Sequence, residues 1–236
     1  MAKCLDLHIL PRVDDSQSCD LLAGLLSAVR YSAVGLTLPT GLFRERVKLL
    51  QDVFHQHGLE SFLRVDLSPS SRTELLRALR KFRNSYDIVA VNCLNQRTAT
   101  VACRDRRVDI VFFNLANRNL RFTHSFARLL HGAIEFNLIS DLVEQPEISV
   151  FSRMRKAIDI AQEHGVSVVL SSGARNYQMV RSPSQIMALA MTFGLSGECS
   201  SRGVTSVPLA IVSENRMKRG PEYIEDGVKI VIRRGR

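Results

Sequence analysis

Residues 33–67, AVGLTLPTGLFRERVKLLQDVFHQHGLESFLRVDL, contain two short apolar, β-branched runs, Ala33–Leu38 and Phe62–Leu67, separated by an amphipathic stretch that stops at His57-Gly58. Glycine takes the left-handed position just past a helix, and histidine beside it sits well at the negative end of the helix dipole. The unit is strand, helix, stop, strand. Both runs are nearly continuous in apolar character rather than alternating, which predicts strands buried on both faces of a parallel sheet.

The unit recurs. Further strands are predicted at Leu5–Leu10, Ile88–Cys93, Val108–Phe113, Ala133–Leu138, Val166–Leu170 and Val207–Val212, and further helix stops at His131-Gly132 and His164-Gly165. Ser71–Glu74 and Ser182–Gln185 read as capping boxes, the second with Pro183 at the first helical position. About eight mainly parallel strands in 236 residues favour a TIM-barrel-like (β/α) barrel of the α/β class over an open doubly wound sheet. No linker or low-complexity segment divides the chain. A single domain over residues 1–236 is predicted, with a short basic extension from about residue 215, a strand plus a basic tail.

The formal net charge is +9, carried by 26 Arg and 6 Lys against 23 acidic residues. Such an excess points to an anionic partner, nucleic acid first, and arginine suits phosphate because its planar fork pairs bidentately. Five cysteines with no C-x-x-C pair suggest neither a zinc site nor a disulfide framework, and fit a reducing, cytoplasmic setting. The N-terminus lacks signal-peptide character, and no apolar stretch reaches membrane-spanning length.

Barrel enzymes place catalytic groups at the C-terminal ends of strands. Those positions here are His8, Asp14, Thr37, Asp66, Asn92, Asn95, Asn114, Asn137, Ser171, Ser172 and Asn215, mostly amides and hydroxyls. With one histidine and two aspartates, the rim is chemically quiet, and neither a catalytic nor a metal site is expected in this chain. Ser171-Ser172-Gly173-Ala174-Arg175 reads either as a phosphate cradle or as an ordinary turn after the seventh strand. Gly194, Gly197 and Gly203 lack the spacing of a nucleotide-binding loop.

The densest charge runs from Arg72 to Arg107, with nine basic and three acidic residues. On the helix after Ser71, Leu75, Ala78, Leu79 and Phe82 share one arc, while Arg72, Arg77, Arg80, Lys81 and Arg83 fan across the other. A solvated helix intersperses opposite charges at i,i+4; this face lacks them, which argues for phosphate contacts. Sparse aromatics and the absence of Trp point away from base stacking and toward structured RNA held through its backbone. The RNA-contact candidates are Arg77, Arg80, Lys81, Arg83, Arg97, Arg104, Arg106, Arg107, Arg175, Arg181 and Arg216.

Four segments, Arg64-Val65-Asp66-Leu67-Ser68-Pro69, Glu74 to Arg83, Asp87-Ile88-Val89-Ala90-Val91-Asn92-Cys93 and Arg104-Asp105-Arg106-Arg107-Val108-Asp109-Ile110, closely resemble the barrel-type protein subunit of archaeal and eukaryal ribonuclease P, protein component 3. The likeness continues through Ser171-Ser172-Gly173-Ala174, Arg181-Ser182-Pro183 and Ile211 to Arg216. Asn114 departs from it, standing where a Phe-Pro ending to the fifth strand is expected. The resemblance implies a barrel related to the polymerase-and-histidinol-phosphatase phosphoesterases, acting with a catalytic RNA that cuts 5′ leaders from precursor tRNA. It further implies pairing with a small ferredoxin-like subunit as a heterodimer or heterotetramer, and magnesium at the RNA active site. The length looks archaeal.

Asp6-Leu7-His8-Ile9-Leu10 resembles the opening D-x-H-x-H of those phosphoesterases, with Leu10 where the second ligand histidine would stand. Two other readings remain on the residues alone: a metal-dependent phosphoesterase, which requires His8 to converge with further ligands, and an enzyme for a small phosphorylated metabolite, which requires an open apolar pocket beside Ser171 to Arg175.

Overall fold

The computed structural model describes residues 3–115, 117, 119–144, 147–220, 223–225 and 228–229. Strands β1 (Leu5–Ile9), β2 (Ala33–Thr37), β3 (Glu60–Leu67), β4 (Ile88–Cys93), β5 (Ile110–Phe113), β6 (Ala133–Asn137) and β7 (Val168–Ser171) lie in chain order, each parallel to the next. The sheet returns on itself where Ile9 bridges Ala174 and the Leu10 N–H donates to the Ala174 carbonyl at 2.9 Å. β5 and β7 start two residues into their apolar runs, because Val108 and Val166 pack in the core before the ladder begins.

Helices α1 (Ser16–Ala28), α2 (Arg44–Gln56), α3 (Arg72–Phe82), α4 (Gln96–Arg104), α5 (His124–Leu129), α6 (Leu138–Glu144), α7 (Ile148–Glu163), α8 (Pro183–Thr192), α9 (Gly197–Val204) and α10 (Ser206–Lys218) surround the strands. Side-chain oxygens of Asp15, Ser71, Asn95, Thr123, Ser182 and Ser196 accept first-turn N–H groups, satisfying donors that the helix leaves open. Ser182 and Gln185 form both halves of a capping box. At α3 the Glu74 carboxylate reaches the Ser70 N–H rather than that of Ser71.

Gly58 and Gly165 end α2 and α7 with φ of 75° and 62°, as the His-Gly reading requires. The third dipeptide differs. Gly132 does not take positive φ; a Cβ there would lie 2.3 Å from the Asp109 carbonyl, so glycine permits the close approach of two chain segments.

The predicted eighth strand is a helix. Val207–Val212 opens α10, whose buried residues Pro208, Val212 and Asn215 recur at helical spacing, and Pro208 lies in the first turn, where a missing N–H costs no hydrogen bond. The apolar run reads equally as a strand or a buried helix; tertiary packing decides it. Val212 joins Leu5, Phe62, Ile88, Ile110, Ala133 and Val169 in the interior cluster, so α10 plugs the floor of a seven-stranded barrel. Asn215 Nδ2 donates to the Asp87 carbonyl at 2.9 Å, and the Arg216 guanidinium lies 4.4 Å above the Phe62 ring while pairing with Glu60. Residues 215–218 thus belong to the barrel rather than to an extension. Beyond them β8 (Tyr223–Glu225) and β9 (Val228–Lys229) pair antiparallel; the end of the expected basic tail lies outside the described residues.

Candidate functional site

Period-two alternation builds the barrel interior in layers. One step above the apolar floor, the inward positions are Leu7, Arg64, Ala90, Phe112, Glu135 and Ser171, followed by Asp66 and Asn137. The strands that read as continuously apolar therefore carry charge into the barrel. Arg64 has no solvent exposure. Its Nη1 and Nη2 each meet a Glu135 carboxylate oxygen at 2.6 Å, its Nε donates to Asp66 Oδ1 at 2.6 Å, and its Nη1 also donates to the Leu7 carbonyl at 3.0 Å. Ser171 Oγ donates to the same Glu135 at 2.7 Å.

β1 is bulged between Asp6, which pairs with Val34, and Ile9, which pairs with Leu36. The extra residue lets both Leu7 and His8 face inward, the use of a bulge to re-aim a side chain. It also drives the Leu7 carbonyl toward β2, where a Cβ on residue 35 would lie 2.2 Å from its oxygen; Gly35 is the only residue that fits. His8 Nδ1 meets Asn137 Oδ1 at 2.6 Å, and its Nε2 lies 3.0 Å from Asp66 Oδ2, too bent for a well-formed hydrogen bond. Both ring nitrogens face acceptors, which favours the imidazolium.

The electrostatics follow from this geometry. Burial and the Arg64 guanidinium push His8 down, but Asp66 and Glu135 together outweigh them and its pKa is raised. Burial alone would raise Asp66 and Glu135; the Arg64 charge beside them holds both carboxyls below their usual range. Asp6, on the seam between β1 and β7, has no such partner. Burial lifts it to about 6, although the N–H groups of His8 and Ser172 donate to it.

A group raised in this way contributes stability at low pH that is lost as pH rises through its folded pKa. The stability of Asp6→Asn relative to the natural chain is expected to increase by about 2 kcal/mol as pH rises from about 4 to 6, out of about 3 kcal/mol in all, read from denaturant unfolding at each pH. A flat difference across that window would mean that Asp6 is not the buried, unpaired acid described.

The carboxylates at this mouth do not suit a divalent ion. Arg64 holds both oxygens of Glu135 and one of Asp66, leaving His8 with a single free carboxylate oxygen within reach, and Leu10 donates its backbone to the barrel seam rather than a ligand. A metal needs three or more converging donors, and a fixed cation already stands among them. Nor is Ser171–Arg175 a phosphate cradle: the Ser172 N–H faces the Asp6 carboxylate, the Ala174 N–H faces Ser172 Oγ, and Ser171 faces Glu135. Three of the donors an anion would use are taken, two of them by carboxylates that repel it, and Ser171 and Ser172 are buried.

Of the other rim positions, Asn95 caps α4, Asn92 reaches Ser68 at 3.4 Å, Asp14 pairs with Arg46 at the surface, and Asn215 lies at the opposite end of the barrel. The sequence reading missed Arg64 and Glu135. The available signal was a charge at an inward-facing register position within each apolar run.

The cationic candidates divide into two groups. Arg77, Arg80 and Lys81 on α3, Arg97 and Arg104 on α4, and Arg106 just beyond are exposed. Arg72, Arg77 and Arg80 line one groove of about 400 Å³, and Arg72 and Arg104 line an adjoining groove of about 380 Å³ between the two helices. Arg106 borders a third groove, of about 530 Å³, at the barrel floor with His131, Arg202 and Lys218. Others are engaged within the fold. Arg83 binds Asp109 at 2.6 Å and the Arg107 carbonyl at 3.1 Å, Arg107 forks onto Asp105, and Arg181 donates to the carbonyls of Gln178 and Val180. Arg216 packs on Phe62, and Arg175 is exposed after β7.

Among the described residues no helix is long and apolar enough to cross a membrane. The chain is 26% identical over 233 residues to ribonuclease P protein component 3 of Methanosarcina barkeri, a match covering 95% of this chain and 93% of that protein. Its fold is similar to that of a chain in a cryo-EM structure of archaeal ribonuclease P with mature tRNA, with a TM-score of 0.82 at 18% identity over 98% of this chain and 100% of that one. A putative prolidase from Bifidobacterium longum shares the barrel more loosely, with a TM-score of 0.54 at 11% identity over 91% and 70% of the two chains. Residues 5–220, from the first strand of the barrel to just past the helix that plugs its floor, match the RNase P subunit p30 family, and the chain therefore belongs to that family.

Proposed function

We propose that this chain is a non-catalytic, RNA-binding subunit of ribonuclease P that supports the catalytic RNA in removing 5′ leaders from precursor tRNA. The observation that carries this reading is the predominantly cationic face of α3 and α4, where exposed arginines line adjoining grooves and outnumber Glu74 and Asp105. Phosphates contacted there are positioned without their sequence being read. The filled mouth of the barrel supports a scaffold role, since the groups that could work on a substrate are bound to one another. Arg77, Arg80, Lys81, Arg97, Arg104 and Arg106 are the foremost RNA contacts; Arg83, Arg107, Arg175, Arg181 and Arg216 are secondary, four of them because they also hold the fold. The partner protein is a small ferredoxin-like subunit, magnesium acts at the RNA, and the assembly is cytoplasmic.

Titrating the catalytic RNA with this protein over a range of salt concentrations tests the reading. Six phosphate contacts give a slope of log K against log salt of about −4 to −5. A slope near zero, or no binding at low salt, would overturn it.

A further inference from the structure

A second cluster of titratable groups lies in the helical layer, outside the barrel mouth. We infer that His124, Glu163 and His164 form a binding site for a divalent transition-metal ion such as zinc. His124 Nδ1 stands 3.0 Å from His164 Nε2 and 3.7 Å from Glu163 Oε2, and one donor atom from each of the three residues falls within 4.8 Å of the others. Two nitrogens bound tetrahedrally to zinc at about 2.05 Å are about 3.3 Å apart. The two nitrogens hydrogen-bond to each other, and an ion would displace the shared proton while the pair opens by a few tenths of an ångström.

The backbone supports each ligand. His124 is the first residue of α5, behind Thr123, whose hydroxyl accepts the Phe126 N–H. Glu163 is the last residue of α7, and His164 follows as its cap, donating its N–H to the Ile160 carbonyl, with Gly165 in the left-handed conformation immediately after. The donors therefore come from two helices held at fixed ends. The carboxylate of Glu163 and the negative end of the α7 dipole make the position attractive to a cation. Two imidazoles with one carboxylate form a donor set that prefers zinc, nickel or copper to magnesium or calcium.

His124 and Glu163 are exposed and His164 half-buried, so the remaining coordination positions open to water. A bound ion would clamp the short α5 to the end of α7. Among the described residues this is the group of histidines and carboxylates whose geometry fits one ion.

The test is calorimetric titration of the tag-free full-length chain with zinc chloride, on a Cys4→Ser, Cys199→Ser background because those two thiols are partly exposed. Saturable binding of one ion per chain is expected, with a rise in Tm that a chelator reverses. His124→Ala and His164→Ala are each expected to weaken binding by about tenfold or more, and Glu163→Gln to weaken it less, with unchanged far-UV circular dichroism. Cobalt in place of zinc should give visible absorption typical of tetrahedral nitrogen and oxygen ligation, lost in the same variants. Absence of saturable binding, or undiminished affinity in a folded His124→Ala, His164→Ala double variant, would overturn the assignment; should an alanine variant unfold, Glu163→Gln and the cobalt spectrum of the natural chain decide.

Discussion

Arg64→Met is expected to destabilise the fold by about 3–5 kcal/mol at pH 7. The side chain is wholly buried, and three of its nitrogens bind two carboxylates and a backbone carbonyl. Methionine fills much of the volume but leaves Glu135, equally buried, with Ser171 and Asn137 as its remaining polar neighbours apart from His8. The cost is that of an uncompensated buried charge rather than of a lost attraction, so Arg64→Met combined with Glu135→Gln should recover a large part of it.

The pH dependence gives an independent signature. In the natural chain Glu135 and Asp66 are held below their usual range, so their contribution to stability is present above about pH 4 and lost as pH falls. Without Arg64, burial lifts Glu135 instead, and its effect changes sign, with stability falling as pH rises through its new pKa. Guanidinium unfolding of the single and double variants across pH 4 to 8 reads both effects. A loss below about 1 kcal/mol, the value of an exposed pair, would mean that the guanidinium does not sit in the barrel as described.

Replacing Arg77, Arg80, Arg97 and Arg104 together with alanine is expected to weaken binding to the catalytic RNA by about two orders of magnitude and to flatten the salt slope by about three. Stability should stay within about 0.5 kcal/mol, because exposed side chains away from caps and buried networks contribute little. The matching control replaces Arg121, Arg128, Arg155 and Lys156 with alanine, which removes the same four exposed charges away from that face. Equal loss from both sets would show that overall charge, not the α3–α4 face, carries the affinity. Arg83→Ala should behave differently: it releases Asp109, whose pKa burial already raises against the pull of Arg83, and the loss appears in unfolding before it appears in binding.

The barrel was legible because its signals are local. Apolar runs, capping residues and the glycines after α2 and α7 each act within a few residues, and they located seven strands, the starts of α3 and α8 and the ends of α2 and α7. The eighth element was misread because VPLAIV suits a strand and a buried helix alike; what decides is the open floor of the barrel, which Val212 fills and no local rule records. The candidate site was half legible. His8, Asp66, Asn137 and Ser171 were placed correctly at strand ends, but the rim was judged quiet because the charges that organise it, Arg64 and Glu135, lie inside runs that average as apolar. Their meeting depends on register across strands β3 and β6, which are not neighbours in the sheet. Likewise, charge density picked out Arg83 and Arg107 without showing that Asp109 and Asp105 already hold them.

The most direct test of the central claim is cleavage of precursor tRNA by the catalytic RNA at moderate magnesium, with and without this protein and a small ferredoxin-like partner. Stimulation that requires both proteins is expected, with no cleavage when the RNA is omitted; cleavage by this protein alone would contradict the scaffold role and return attention to His8 and Asp66 as working groups.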